Sequence, residues 1–489
     1  MPIRRIFLGI SLPFAGALLM LPSLFAQERA NPAADKVFED LTKPGAPGCA
    51  LGVYCNGKIV YAKGYGLANI EERVPITPQT VFDVGSVSKQ FTAASILLLE
   101  KQGKLSLDDD VRKYVPELPD YGKRITILQL LNHTGGLRDY TMLMVVSGTN
   151  IENVTTEDDA LAILARQRAL NFAPGSEFLY CNSCYFLMSV IVKRVSGKSL
   201  KNFAAENIFL PLGMAHTQYR DDHASLIPNR ALAYDPDQKG VYKLNVSYAE
   251  QLGDGAIHTS IEDLQKWDEN FYSAQVGGKD FAAEMQEPGK LANGKALDYA
   301  KGLFLGSYRG LKTTSHSGGW GGYHSYFLRF PQQHFSVACL CNVGGANHAK
   351  RAYEVANIYL GGVMKPQEHK VAEANPDKKA PTVAQFARDE IQAYAGVYSS
   401  EELGVLYSLA EEGGNLVLKG IAGVEGLPRA NMVPRPVFRP VTKNEFQTGG
   451  EESLDLHFRR DANGLPASFV LDAWATRGII FTRMQSAAK

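Results

Sequence analysis

Ser86 and Lys89 stand three residues apart in "DVGSVSKQFTAASILLLEKQGK", where an apolar helix should begin. Residues at that spacing share one helix face, a turn apart. A serine hydroxyl is a poor nucleophile at neutral pH and needs a base to attack a carbonyl. A neutral lysine amine can serve if burial or nearby positive charge lowers its pKa. The apolar "FTAAS" after Lys89 suits such a buried setting. Ser86 would also sit at the positive end of the helix dipole, where developing negative charge is favoured. The same residues equally describe a serine N-cap followed by a solvated lysine. The pattern recurs at Ser486–Lys489 in the C-terminal tail, so spacing alone decides nothing.

Two further triplets extend the chemistry, each shadowed by a second copy. Tyr180-Cys181-Asn182 precedes the helical run "SCYFLMSVIV". There a phenol could relay a proton and an amide could orient Lys89 or a substrate; a capping Asn182 with Tyr180 packed behind it is the plainer alternative. The other copy, Tyr54-Cys55-Asn56, is assigned to a hairpin. His316-Ser317-Gly318 opens "HSGGWGGYHS", whose glycines would let the backbone approach a ligand. Their N–H groups, with the Ser86 amide, could form an oxyanion hole; a glycine-rich strand turn is the alternative. His133-Thr134-Gly135 reads as the terminating turn of the "TILQLLN" helix.

The elements that must position these residues are legible in outline. "CALGVYCNGKIVYAKGYG" predicts two strands joined at Asn56-Gly57. A helix over 86–102 closes at Gly103. Thr126 with Gln129 forms a capping-box pattern, Thr156 opens "TEDDALAILARQ", and Gly197 separates two further helices. Thr259 with Glu262 reads as the cap of "IEDLQKWDENF". "AKGLFLGSY", "KTTSHSGG" and "YHSYFLRFPQQHFSVACLCNVG" predict a strand meander, followed by the helix "HAKRAYEVANIYL". Strands enclosing a helical middle imply an α/β antiparallel sheet flanked by helices, with an inserted all-α domain. Residues 365–385 are polar and proline-bearing and read as a linker. Beyond them, short alternating runs such as "NLVLKG" and "LDLHFRR" predict an all-β barrel.

At 489 residues the chain is too long for one core, and its 51 basic and 51 acidic residues give no net field. Nucleic acid is therefore excluded as a partner. The N-terminus has Arg4 and Arg5, an apolar stretch broken by Pro13, Gly16 and Pro22, then small residues near Ala26. That is the layout of a cleaved signal peptide over 1–26, not a membrane anchor, and a periplasmic or secreted protein is expected. No later segment is long and apolar enough to span a bilayer. Export permits disulfides among Cys49, Cys55, Cys181, Cys184, Cys339 and Cys341, but buried free thiols fit as well, and the pairing stays open. No cysteine or histidine cluster has metal spacing, and no metal or cofactor is expected.

Taken in order, "SVSK" at a helix start, "YCN" before a helix and "HSGG" on a late strand resemble the penicillin-recognising serine hydrolases. The likeness is to the class C β-lactamase-like branch, with its D-alanyl-D-alanine carboxypeptidases, D-aminopeptidases and esterases. "LLNHTGGL", "FAPGSEFLYCN", "FLPLGMAHT" and "GAIHTSIEDLQKW" are similar to stretches of that branch, and the likeness runs from about Pro44 to Leu360. It implies a β-lactamase/transpeptidase-like domain over 27–364 and an acyl-enzyme on Ser86, activated by Lys89 with Tyr180. Asn182 would hold the lysine and contact substrate. The amides of Ser86 and Gly319 would form the oxyanion hole, with Ser317 and Gly318 on the same binding strand. His316 would face the leaving group or a substrate carboxylate. "IQAYAGVYSSEELGVLYSLAEEGGNLVLK" is similar to lipocalin-like appendages, which implies a lipocalin-like β-barrel over 386–489.

Two departures temper the substrate. Many β-lactam-binding members carry Lys-Thr-Gly where this chain has His316-Ser317-Gly318, and a partly charged histidine is a weaker, pH-dependent carboxylate anchor. Peptidase-, carboxypeptidase- or esterase-like hydrolysis of small molecules or short peptides is therefore expected ahead of β-lactamase activity. Cell-wall-derived and D-residue substrates are included. A catalytically idle penicillin-binding-type sensor is the alternative from another class. In "GDGAIHTS", Asp254 occupies a position where the branch carries a small residue, and is expected to alter the pocket rim.

Overall fold

The computed structural model describes residues 31–150, 153–366, 386–424, 435–450 and 453–485. The expected signal peptide over 1–26, nearly all of the expected linker and the Ser486–Lys489 pair lie outside the described residues. β1 (Cys49–Cys55) and β2 (Lys58–Tyr65) form the predicted hairpin. Asn56 and Gly57 take the left-handed backbone that a two-residue turn requires, at φ 49° and 72°. Far along the chain, β3 (Phe304–Tyr308), β4 (Leu311–Trp320), β5 (Tyr323–Phe330) and β6 (Phe335–Cys341) make the meander. The sheet order is β3-β4-β5-β6-β1-β2, antiparallel throughout.

Both faces of the central strands are covered, which explains their nearly unbroken apolar sequence. Leu51, Val53, Val337 and Cys339 face Ala352, Val355 and Ala356, whereas Ala50, Tyr54, Ala338 and Leu340 face the core that holds Phe91 and Trp267. Between the strands lie α1 (Lys89–Lys101), α2 (Ile127–Leu131), α3 (Tyr140–Val146), α4 (Glu157–Ala165), α5 (Asn182–Ser196) and α6 (Leu200–Ala204). α7 (Ile261–Ser273) packs on β1 and β6, and α8 (His348–Leu360) covers β5 and β6.

Local signals hold at α2 and α4, where Thr126 with Gln129 and Thr156 with Asp159 exchange reciprocal capping hydrogen bonds. α5 ends at Gly197 with φ 72°. The cap of α7 is corrected by one residue. Thr259 ends a short strand, so the extended Ser260 takes the role, its side chain accepting from the Asp263 amide. Cys49 and Cys341 sit opposite each other on β1 and β6 and form a disulfide, while Cys55, Cys181, Cys184 and Cys339 are free. That pairing joins positions 292 residues apart, which is why local sequence left it open.

Eight further strands close into a barrel in sequential order: β7 (Gly396–Ser400), β8 (Val405–Glu412), β9 (Asn415–Gly423), β10 (Val437–Thr442), β11 (Glu445–Gln447), β12 (Leu454–Arg460), β13 (Pro466–Ala473) and β14 (Thr476–Arg483). Closure removes the exposed strand edges that an open sheet would leave. Phe438, Phe446, Phe458, Phe469 and Phe481 are buried, forming an aromatic core for the barrel. No helix of the described residues is long and apolar enough to cross a membrane.

Candidate active site

Ser86 lies in a 3₁₀ turn, Gly85–Ser88, that leads directly into α1. The N-cap positions of the turn and of α1 fall to Val84 and Ser88, Ser86 Oγ instead meets Lys89, and that lysine is buried, which removes the plainer reading of this pair. Gly85 has φ 49°, and a Cβ there would come 2.7 Å from the Gly319 amide nitrogen. At Gly318 a Cβ would meet the Val84 carbonyl at 1.9 Å. Both positions must be glycine for β4 to lie against the turn, and that approach brings the Gly319 amide beside Ser86.

Beneath Ser86, Lys89 is fully buried. Its ammonium nitrogen lies 3.0 Å from Ser86 Oγ, 2.9 Å from Asn182 Oδ1 and 2.7 Å from the Asp254 carbonyl oxygen. It also stands over the rings of Tyr180 and Tyr185, 4.8 and 5.6 Å from their centroids. Burial lowers the Lys89 pKa to about 8, with Asp254 and Asp139 opposing the shift. About a tenth of Lys89 is therefore neutral at pH 7, far more than for a solvated lysine. The Tyr180 hydroxyl is shielded from solvent and lacks a fully formed hydrogen bond. Burial pushes its pKa well up, and its approach to Ser86 works against that push.

A cavity of about 310 Å3 opens over Ser86, with Tyr180, Asn182, Asp254 and Gly319 in its wall. Tyr180, Asn182 and Gly319 stand at the Ser86 cavity as the sequence anticipated, and Asp254 joins them in its wall. The His316 triplet does not all arrive. The His316 ring is 1% exposed and outside the cavity lining, Ser317 points to solvent, and Gly318 is spent on the contact with Val84. The expectation of a partly charged histidine is also corrected. Burial, then the Lys89 charge, pulls its pKa to about 3, so the ring is neutral. His316 Nδ1, 2.6 Å from the Ser317 carbonyl, carries the proton, and Nε2 accepts from the Tyr299 hydroxyl at 3.3 Å.

Several positioning residues escaped the sequence reading. His133 has the turn conformation expected of it, at φ 56°, yet its buried ring packs on Tyr180 at 4.4 Å and Tyr299 at 4.7 Å. Its Nδ1 accepts from the Cys181 amide, holding the Tyr180–Asn182 segment in place. Asp139 caps α3 and accepts from the Asn182 amide at 2.6 Å. Asp254 is not merely at the rim, because its backbone oxygen holds Lys89. Trp474 comes from the barrel: the turn between β13 and β14 enters the cavity wall, 6.3 Å from Tyr180 between ring centroids. Nothing in "LDAWATRG" marked that tryptophan, since its role depends on how the barrel docks.

That docking is extensive. Arg138 donates to Glu402, to Gln167 and to the carbonyls of Arg477 and Gly478. The Asp139 amide donates to the Ala475 carbonyl, and Asn171 bonds both Ala475 and Arg477. The hairpin that delivers Trp474 is thus tied to the residue that orients Asn182.

A sequence profile described as Beta-lactamase matches residues 34–360. A penicillin-binding protein of Bacillus subtilis (strain 168) is 30% identical over 382 residues, covering 75% of this chain and 82% of that protein. The D-aminopeptidase of Brucella canis is 28% identical over 368 residues, covering 75% of this chain and 66% of that protein. The octameric penicillin-binding protein homologue from Pyrococcus abyssi superposes with a TM-score of 0.61 at 23% identity, over 92% of this chain and 99% of that one. The D-amino acid amidase from Ochrobactrum anthropi SV3 superposes at 0.57 and 20% identity, over 68% and 100%. At these identities the structural likenesses speak to fold alone.

Proposed function

The chain belongs to the Beta-lactamase family of serine hydrolases, and on that premise we propose that it cleaves amide or ester bonds of small substrates through an acyl-enzyme on Ser86. The observation that carries this reading is the three-way environment of Lys89. Asn182 Oδ1 and the Asp254 carbonyl can only accept hydrogen bonds, whereas the Ser86 hydroxyl can also donate. When Lys89 loses a proton, its two remaining N–H groups stay with the two obligate acceptors. The lone pair is left facing Ser86.

Ser86 Oγ then bonds to the substrate carbonyl carbon as its proton passes to Lys89. The carbonyl oxygen becomes an oxyanion held by the amides of Ser86 and Gly319. Tyr180, between Lys89 and the cavity, hands a proton to the leaving group and recovers one from Lys89. Water cleaves the ester that results. A neutral, buried His316 offers no charge for a substrate carboxylate, which supports amidase-, peptidase- or esterase-like turnover over β-lactam hydrolysis. Export through residues 1–26 and the division into domains over 27–364 and 386–489 belong to the same reading.

The test is a parallel screen of D- and L-aminoacyl anilides, short acyl esters and a chromogenic cephalosporin, with intact mass and peptide mapping of the trapped protein. Turnover with an acyl group on Ser86 is the expected result. Stoichiometric acylation without turnover on every substrate would make the chain a sensor instead. The pH profile supplies a second check. Lys89 acts as a base only when neutral, so kcat/KM should rise with pH through about 8. An inflection that disappears in His316→Gln but persists in Asp254→Asn would show a titrating histidine and contradict this account.

A further inference from the structure

We propose that Asp254 selects the substrate: its carboxylate receives the α-ammonium group of an amino-acid residue whose carbonyl is attacked by Ser86. Preferred substrates are then amides, esters or peptides with a free amine on the acyl side. The proposal rests on the acyl-enzyme reading above.

The geometry begins with the shared cavity. Asp254 lines it together with Ser86, Tyr180 and Gly319. Its backbone oxygen is one hydrogen bond from Lys89, which is itself one hydrogen bond from Ser86 Oγ. An α-ammonium lies two bonds from the carbonyl carbon, so a substrate seated on Ser86 brings that charge to this wall. The carboxylate has spare capacity. Its side-chain donor among the described residues is the Tyr140 hydroxyl, shared between the two oxygens at 3.3 and 3.2 Å. A carboxylate offers about four acceptor sites, and an ammonium brings three donors in need of them. Met142, Val145 and Trp474 supply apolar wall for the residue's side chain.

The same placement couples recognition to catalysis. The charged and titratable groups facing Lys89 and Asp254 are each other, Asp139 and Tyr140. Cys181, Cys184, Tyr180, Tyr185 and the neutral rings of His133 and His316 complete the set. Arg220 and Asp83 also line the cavity. A negative Asp254 helps to keep the proton on Lys89. An ammonium paired with that carboxylate offsets its field, so Lys89 gives up its proton more readily. A free-amine substrate therefore helps to generate the base that attacks it. An N-acylated substrate does not.

The experiment compares an alanyl p-nitroanilide, in D and L forms, with its N-acetylated counterpart in wild type and Asp254→Asn; Ser86→Ala serves as the blank. Wild type should prefer the free amine by at least about a hundredfold in kcat/KM, and Asp254→Asn should narrow that ratio at least tenfold, because a site built for a polar group discriminates against analogues that lack it. The acid limb for the free amine should also lie at lower pH than for a neutral ester. Should the variant fold poorly, wild type alone decides: benzylamine should inhibit ester hydrolysis competitively, and N-acetylbenzylamine should not. An unchanged ratio in Asp254→Asn, or equal inhibition by amine and amide, overturns the proposal and leaves the Ser86 reading standing. Turnover that persists in Ser86→Ala removes the reading beneath it.

Discussion

Replacing Ser86 with alanine is expected to lower kcat by roughly ten thousand- to a million-fold, and Lys89→Met by a similar factor. Because nucleophile and base act as a unit, the double variant should be no worse than the poorer single one. Stability should move little in either case. Ser86 is half-buried, and its hydroxyl is bonded to Lys89 and holds no helix end. Lys89→Met leaves Asn182 Oδ1 and the Asp254 carbonyl without a donor, at about 1–3 kcal/mol for each buried group stranded. It also relieves the cost of burying an ammonium, which offsets that loss. Steady-state kinetics beside thermal unfolding of the three variants checks this. Losses that add in the double variant would show that the two residues act independently.

Glu402→Ala is expected to destabilise the protein by about 3–5 kcal/mol, the usual effect of stranding one member of a buried ion pair. The pair is well shielded: the Arg138 and Glu402 side chains are 1% and 7% exposed, with nitrogen and oxygen 2.6 Å apart. Glu402 also accepts from the Arg168 amide, so its removal leaves a second group without a partner. The loss should reach the cavity, because Arg138 holds the Arg477 and Gly478 carbonyls of the hairpin that presents Trp474. Trp474→Ala separates the two effects. That side chain is 40% exposed, so its truncation should change KM without a comparable loss of stability. Chemical denaturation of both variants with parallel kinetics checks this; a Glu402→Ala protein as stable as wild type would mean that the barrel is held by other contacts.

The errors at the site share one origin. A solvated imidazole at His316 would be partly charged, but the ring lies behind the cavity wall and beside Lys89. Burial disfavours the cation, and sequence carries no measure of burial at a single strand residue. The backbone turn at His133 follows from its local sequence, but its side-chain partners Tyr180 and Tyr299 come from distant segments. Thr259 and Ser260 are both good caps, and the choice between them fell to the strand that claims Thr259.

By itself the sequence determined what acts over a turn or a strand pair. Ser86 and Lys89 stand one turn apart, Asn56-Gly57 makes the hairpin turn, a capping box starts α2, Thr156 opens α4, and unbroken apolar runs make β1 and β6. These follow from backbone geometry and the side-chain chemistry of near neighbours. The tertiary structure alone decided which groups are charged, which cysteines meet, that the Asp254 carbonyl holds Lys89, and that a barrel tryptophan walls the cavity. Each depends on desolvation or contact between residues far apart in the chain, and such distances are set only when the whole core has packed.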